Sequence, residues 1–159
     1  YKLTMAGRIS RVAFSPDGKW IASTDNASIR IWNPENGNEL LNIPLNPFTG
    51  ISSVAFSPDG KWIMGNDENS IRVWEIPTGR EISRITRSQI NSLVFSPDEK
   101  WIASGGNDNA VRIWLWRSED LIAEACLRLP RNLTNEEWEQ YIGDEPYKPT
   151  CPNLPISTN

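Results

Sequence analysis

Histidine is absent from all 159 residues. That absence removes the commonest general base, the commonest metal ligand and the side chain that titrates near neutrality. No Ser–His–Asp or Cys–His pairing can be assembled. Cysteine is scarce as well: Cys126 and Cys151 both lie in the last quarter of the chain. Two distant cysteines give no zinc spacing. Without a secretory leader pattern they point to free thiols rather than a disulfide framework, with a Cys126–Cys151 bridge as the alternative. No run of eighteen apolar residues occurs, so no membrane-spanning helix is expected. The start, Tyr1-Lys2-Leu3-Thr4-Met5, has no signal-peptide pattern and reads as the interior of a longer, cytoplasmic chain. Basic stripes are missing too. Residues 1–117 carry 13 Lys/Arg against 12 Asp/Glu, and residues 118–159 carry 3 against 8. Nucleic acid is therefore not an expected partner. Together these gaps predict a protein with no catalytic residues, no metal and no cofactor.

What the chain does have is repetition. Ile9-Ser10-Arg11-Val12-Ala13-Phe14-Ser15-Pro16-Asp17-Gly18-Lys19-Trp20 returns as Ile51 to Trp62, and again as Ile90 to Trp101. The phenylalanines Phe14, Phe56 and Phe95 are 42 and 39 residues apart. A second anchor agrees: Ile29-Arg30-Ile31-Trp32, Ile71-Arg72-Val73-Trp74 and Val111-Arg112-Ile113-Trp114. Fixed periods of this length mark a repeat architecture.

Each unit carries strand chemistry. A short β-branched run ends at Phe. Ser-Pro-Asp-Gly then turns the chain, because Pro presets φ, Asp bonds its own backbone and Gly accepts positive φ. A second strand starts at Trp20, Trp62 or Trp101, and a third carries the next Trp. A fourth follows in two units, at Leu40-Leu41-Asn42-Ile43 and Glu81-Ile82-Ser83-Arg84-Ile85. Four short antiparallel strands make one propeller blade. Hydrophobic residues are only 38% of the chain, but eight tryptophans offset this by their large buried area. The expected fold is all-β: three four-stranded antiparallel propeller blades, the last lacking its outer strand, with a small α-helical C-terminal tail. The blades fall at about 8–49, 50–88 and 89–117, and the helical, Pro-rich tail at 118–159. Glu99 stands where the other turns have glycine, which predicts a positive φ there or a different turn.

Phe-Ser-Pro-Asp-Gly-Lys-Trp with Ile-Arg-Ile-Trp, repeated in register, resembles the WD-repeat (WD40) β-propellers over residues 1–117. There are departures. The Trp-Asp pair reads Trp32-Asn33, Trp74-Glu75 and Trp114-Leu115, and the nearest relic of the family's Gly-His is Ala6-Gly7. The buried Asp six residues before the Trp survives only as Asp108, with Asn26 and Glu68 at the matching places. The family's His–Asp network is thus missing. Propellers close with four to eight blades, so the resemblance implies further blades: Tyr1-Lys2-Leu3-Thr4 fits the outer strand of a preceding one. The ring's N-terminal segment would supply the outer strand that the third blade lacks. Completion by other copies of the chain is the second account.

In the tail, Ser118 to Leu129 has apolar residues at helical spacing and ends at Pro130. Thr134-Asn135-Glu136-Glu137 is a capping box opening a helix through Trp138 and Tyr141. Asn132-Leu133-Thr134 matches a glycosylation sequon but reads as helix capping. Four prolines between Asp144 and Asn159 predict extended chain. Glu124-Ala125-Cys126, Arg131 to Tyr141 and Pro146 to Pro152 look like a tail that follows WD-repeat arrays in bacterial multidomain proteins, which often carry a caspase-like or NACHT-type signalling module. That implies a non-catalytic scaffold or sensor propeller within a larger bacterial signalling protein. The alternative is a purely structural segment scaffolding such an effector.

In the family, protein partners dock where the first strand starts and where the second strand leads to the third. By register these positions are Arg8, Ser10 and Asp25; Gly50, Ser52 and Asp67; Gln89, Asn91 and Asn107. The set is small and polar, without the aromatic anchors that dominate tight interfaces. Lys19, Lys61 and Lys100 share one repeat position and read as structural. So does the column Arg30, Arg72 and Arg112, whose stems are expected to cover neighbouring blades.

Overall fold

A computed structural model describes residues 7–25, 27–45, 50–67, 69–87 and 89–155. The chain divides into two compact units, Tyr1–Trp116 and Arg117–Asn159.

The first unit holds three antiparallel sheets, each built from consecutive strands. The first runs β1 (Arg11–Phe14), β2 (Ile21–Thr24), β3 (Ser28–Trp32), β4 (Glu39–Pro44). The second runs β5 (Val54–Phe56), β6 (Trp62–Asn66), β7 (Ser70–Glu75), β8 (Glu81–Thr86). The third has only β9 (Ile90–Phe95), β10 (Trp101–Gly106) and β11 (Val111–Leu115), with β11 at its edge. The expected four, four and three strands are all present. The outer strand suggested for Tyr1-Lys2-Leu3-Thr4 lies outside the described residues, as do Ala6, Asn26 and Glu68.

Turn chemistry repeats with the strands. In all three β1–β2-type turns a serine hydroxyl (Ser15, Ser57, Ser96) donates to the aspartate two residues on and accepts from the backbone N–H of the tryptophan five residues on. The Asp17 carboxyl is held down at about 2, chiefly by the Ser15 hydroxyl and then the Lys19 backbone N–H. Burial works against ionisation of Asp59, but the Lys61 N–H and the Ser57 hydroxyl still hold it at about 2. Gly18 and Gly60 take φ of +72°, and Glu99 takes +60° in the same turn. Its carboxylate in return accepts the Asp59 backbone N–H at 2.6 Å.

The core lies between blades, not within them. One layer joins Ile29, Ile31 and Ile43 of the first blade to Ile51, Phe56, Ile63 and Trp74 of the second. The next joins Met64, Ile71 and Val73 to Ile90, Leu93, Phe95, Ile102 and Trp116. Because successive strand residues point to opposite faces, one strand feeds both layers. Trp116 is packed edge-on against Trp62 and Phe95, with ring centroids 5.8 and 5.4 Å away, and its indole N–H donates to the Glu99 carbonyl at 2.8 Å.

The end faces are different. Phe14 is 65% exposed where Phe56 and Phe95 are 8% and 6%. Ile113 is 65% exposed where Ile31 and Val73 are both 0%. Identical repeat positions are core in the middle of the stack and bare at its ends.

The second unit contains α1 (Ser118–Arg128) and α2 (Asn135–Tyr141). Thr134 and Glu137 form the reciprocal capping box expected. The free thiols expected for Cys126 and Cys151 are not found: the two are joined in a disulfide closing a sequence separation of 25. The absent leader argued for reduced thiols, but the fold brings α1 and the C-terminal segment side by side. Asn132 completes the clamp, its amide donating to the carbonyls of Cys151 and Leu154 and its oxygen accepting the Cys151 N–H, at 2.8, 2.9 and 2.9 Å. With every polar atom of its buried amide engaged, Asn132 is unsuited to glycosylation, in line with the capping reading of this tripeptide.

Candidate functional site

The nine positions singled out in the sequence all lie at one end of the blades, at the start of a first strand or the end of a second. Within each blade the two segments are bonded together. The Ser10 hydroxyl meets that of Thr24 at 2.9 Å, the Asn107 N–H donates to the Gln89 carbonyl at 3.2 Å, and the Asn91 amide donates to the Asn107 side chain.

The blades are also tied to one another here. The Ser10 hydroxyl donates to the Ile51 carbonyl at 3.4 Å, and the Arg11 Nε to that of Ser52 at 2.6 Å. The Ser52 hydroxyl donates to the Ile90 carbonyl at 2.7 Å. Five of the nine residues, Gly50, Ser52, Asp67, Gln89 and Asn91, line one cleft of about 400 Å³ between the second and third blades, together with Asn66, Asn69 and Ile90.

Asn66 is the residue that sequence reasoning missed. It is buried at the end of β6, and its Nδ2 donates to the Ser52 hydroxyl at 2.6 Å and the Ile90 carbonyl at 2.8 Å. Its Oδ1 is buried without a hydrogen-bond partner among the described residues. Repeat alignment carried the signal: the matching positions hold Thr24 and Gly105, so an amide there is out of pattern. The next residue, Gly106, is required by close approach, since a Cβ there would sit 2.1 Å from the Gln89 carbonyl oxygen.

Asp25 departs from the role expected of it. It is 4% exposed, and its carboxylate accepts the N–H groups of Ala27 and Ser28 at 2.8 Å each and the Ser28 hydroxyl at 3.2 Å. That is turn chemistry, and it leaves little of the group for a partner. Asp67 repeats the motif with Asn69 and Ser70 but adds an ion pair to Arg72. Arg8, Gly50, Gln89 and Asn107 are exposed.

The arginine column is held in place by ion pairs. Arg30 pairs with Glu39 at 3.2 Å, and Arg72 pairs with Glu81 while lying 5.0 Å over the Trp74 ring. Arg112 pairs with Asp108, which also holds Arg87 at 2.9 Å. Lys19 and Lys61 pair with their turn aspartates, and Lys100 lies 5.2 Å over the Trp101 ring. Two of the repeat tryptophans are anchored by serine: the indole N–H groups of Trp32 and Trp114 donate to Ser23 and Ser104 at 2.7 and 2.8 Å. Gly65 occupies the corresponding place in the second blade. No group of three or more metal-ligating side chains forms among the described residues. No helix among the described residues is long and apolar enough to cross a membrane.

Consecutive antiparallel sheets stacked face to face, with paired first-strand and second-strand ends on one rim, define a propeller-type repeat scaffold. The WD domain, G-beta repeat, matches residues 2–33, 43–75 and 80–114. The chain belongs to that WD40 family. No curated protein matches the sequence.

Proposed function

We propose that the chain is a non-catalytic protein-interaction scaffold that receives its partner at the rim formed by Arg8, Ser10, Gly50, Ser52, Asp67, Gln89, Asn91 and Asn107. The observation that carries this is the cleft between the second and third blades. It is lined by polar groups, Asn66 among them, and the Asn66 Oδ1 is buried without a partner among the described residues; a buried acceptor left unpaired costs stability unless something donates to it. The partner is a protein segment offering backbone or side-chain N–H donors. The family's general use as an interaction scaffold agrees with this, and the lean, aromatic-free rim favours modest affinity. A sensor role within a larger bacterial signalling protein is the finer form of the same reading. The Cys126–Cys151 bridge fits an oxidising compartment better than the cytoplasm expected from the missing leader. The test is affinity capture with the intact chain and with an Asp67→Lys, Asn91→Ala variant. A specific partner retained by the first and lost by the second supports the site, and equal capture by both refutes it.

A second reading, a structural segment carrying an adjacent effector, is favoured by the bare end faces at Phe14 and Ile113. Further blades, from a longer chain or from other copies, would cover them. Light scattering on the purified chain separates the cases: a dimer would make six blades, within the range that closes, and a monomer leaves the longer chain as the source.

A further inference from the structure

Two aromatic rings of the second unit make a corner beside a cavity. Gly143 follows α2 with a φ of +98°, and its N–H donates to the Trp138 carbonyl at 3.3 Å, so the chain turns back along the helix it has just left. That return sets Tyr147 edge-on to Trp138, with ring centroids 5.4 Å apart and planes at 68°. Both rings are fixed by their polar ends. The Trp138 indole N–H donates to the Glu145 carbonyl and the Tyr147 hydroxyl to the Leu133 carbonyl, each at 2.9 Å. The corner is therefore set before any ligand arrives. Beside it lies a cavity of about 480 Å³, whose wall also includes Gly143, Pro146, Glu139, Asp144 and Glu145. A cavity of that size suits a small molecule.

Charge selects the occupant. Glu139, Asp144 and Glu145 are exposed, and their carboxylates form no ion pair among the described residues. Residues 118–159 hold 3 Lys/Arg against 8 Asp/Glu, and two of those cations are committed elsewhere, Arg128 to Glu124 and Arg131 to Glu137. In the blades the chain's own cations cover ring faces, Arg72 over Trp74 and Lys100 over Trp101. No Lys or Arg among the described residues covers Trp138 or Tyr147. A ring face attracts a cation through its quadrupole, and flanking carboxylates add to the attraction. A primary ammonium would lose hydration that ring faces and Pro146 do not replace. A quaternary ammonium carries the same charge and presents methyl groups to those walls.

We propose that this cavity binds a small molecule with a quaternary ammonium head group of the choline type. The head group sits against the Trp138 and Tyr147 rings, and Glu139, Asp144 and Glu145 balance its charge. The site belongs wholly to the C-terminal unit and does not depend on the polar cleft between the blades.

The probe is choline, titrated calorimetrically into the intact chain, with its uncharged tert-butyl analogue as the control for apolar burial. Choline should saturate a single site and bind about tenfold more tightly than the analogue, since the two differ only in charge. Among the eight tryptophans, the indole N–H resonance that moves most should be that of Trp138. A Glu139→Lys, Asp144→Lys chain should lose about tenfold in choline affinity, and less at high salt. Tyr147→Leu should remove binding altogether. The first two readouts use the unmodified chain, so they stand even if Tyr147→Leu loosens the tail. Absence of saturation, equal affinity for choline and its analogue, or the largest shift on another tryptophan overturns the proposal. So does a trimethyl-lysine peptide that saturates the site where choline does not, because the occupant is then a partner protein.

Discussion

Opening the Cys126–Cys151 bridge should loosen the C-terminal unit internally while leaving the blades intact. The bridge closes a separation of 25 residues, and a loop of that length removes about 3.5 kcal/mol of chain entropy from the unfolded state at 25 °C. Neither α1 nor α2 has a buried residue. The three Asn132 side-chain bonds at 2.8–2.9 Å contribute about 1 kcal/mol each. The Trp138–Tyr147 contact, 5.4 Å between centroids and edge-on, adds about 0.5–1.5 kcal/mol. The bridge is thus comparable to the Asn132 bonds and this aromatic contact together. In a Cys126→Ala, Cys151→Ala chain, or in the reduced protein, amide exchange in the tail should accelerate about 300-fold, from about 3.5 kcal/mol at a factor of ten per 1.4. The informative amides are those of Asn132 and Leu154, which are bonded to Pro155 and Cys151. Amides of β6 and β7 should not change. Equal tail protection in the oxidised and reduced chains would refute the reasoning, because the apolar contacts and Asn132 would then suffice.

Three further outcomes are expected. Ser23→Ala strands the buried indole N–H of Trp32, now bonded at 2.7 Å, and should cost about 1–3 kcal/mol in a denaturant melt; a cost below the error of the melt argues that the bond is dispensable. Ile31→Ala should cost about 2–5 kcal/mol, whereas Ile113→Ala at the equivalent position should change stability by under about 0.5 kcal/mol; a large loss at Ile113 would mean that this face is covered in solution. Acid should weaken the fold through the repeated turns. The folded-state values of Asp17 and Asp59 lie at about 2 against an ordinary 3.8, and Asp98 is also lowered, chiefly by the Ser96 hydroxyl. Their stabilising contribution is complete above the ordinary value and lost as pH falls through the folded one, so Tm should drop between about pH 4 and pH 2. Replacing Ser15, Ser57 and Ser96 by alanine should flatten that drop, and an unchanged acid limb would remove these turns as its cause.

The sequence by itself determined the blade. Period, turn residues and the alternation of Ile with Trp are local properties, and each strand forms where its own residues dictate, down to the third blade's three strands; of the two turns open to Glu99, the structure takes the one with positive φ. It also placed the candidate rim, because register along a repeat is arithmetic. What it could not determine depends on atoms distant along the chain. Asp25 and Asp67 occupy one repeat position, yet Asp25 is buried in its own turn while Asp67 also meets Arg72. Asn66 was out of pattern in the repeat, but its role follows from Ser52 and Ile90, from two different blades, converging on its amide. Trp116, beyond the last repeat strand, was seen to fill the layer between blades only once Trp62 and Phe95 were in place around it. The two thiols give the plainest case. Composition argued for leaving them apart, and the path of the chain past Asn132 brought them together. Local rules decide which strand forms, and packing decides which of three identical positions is core, bare surface or site.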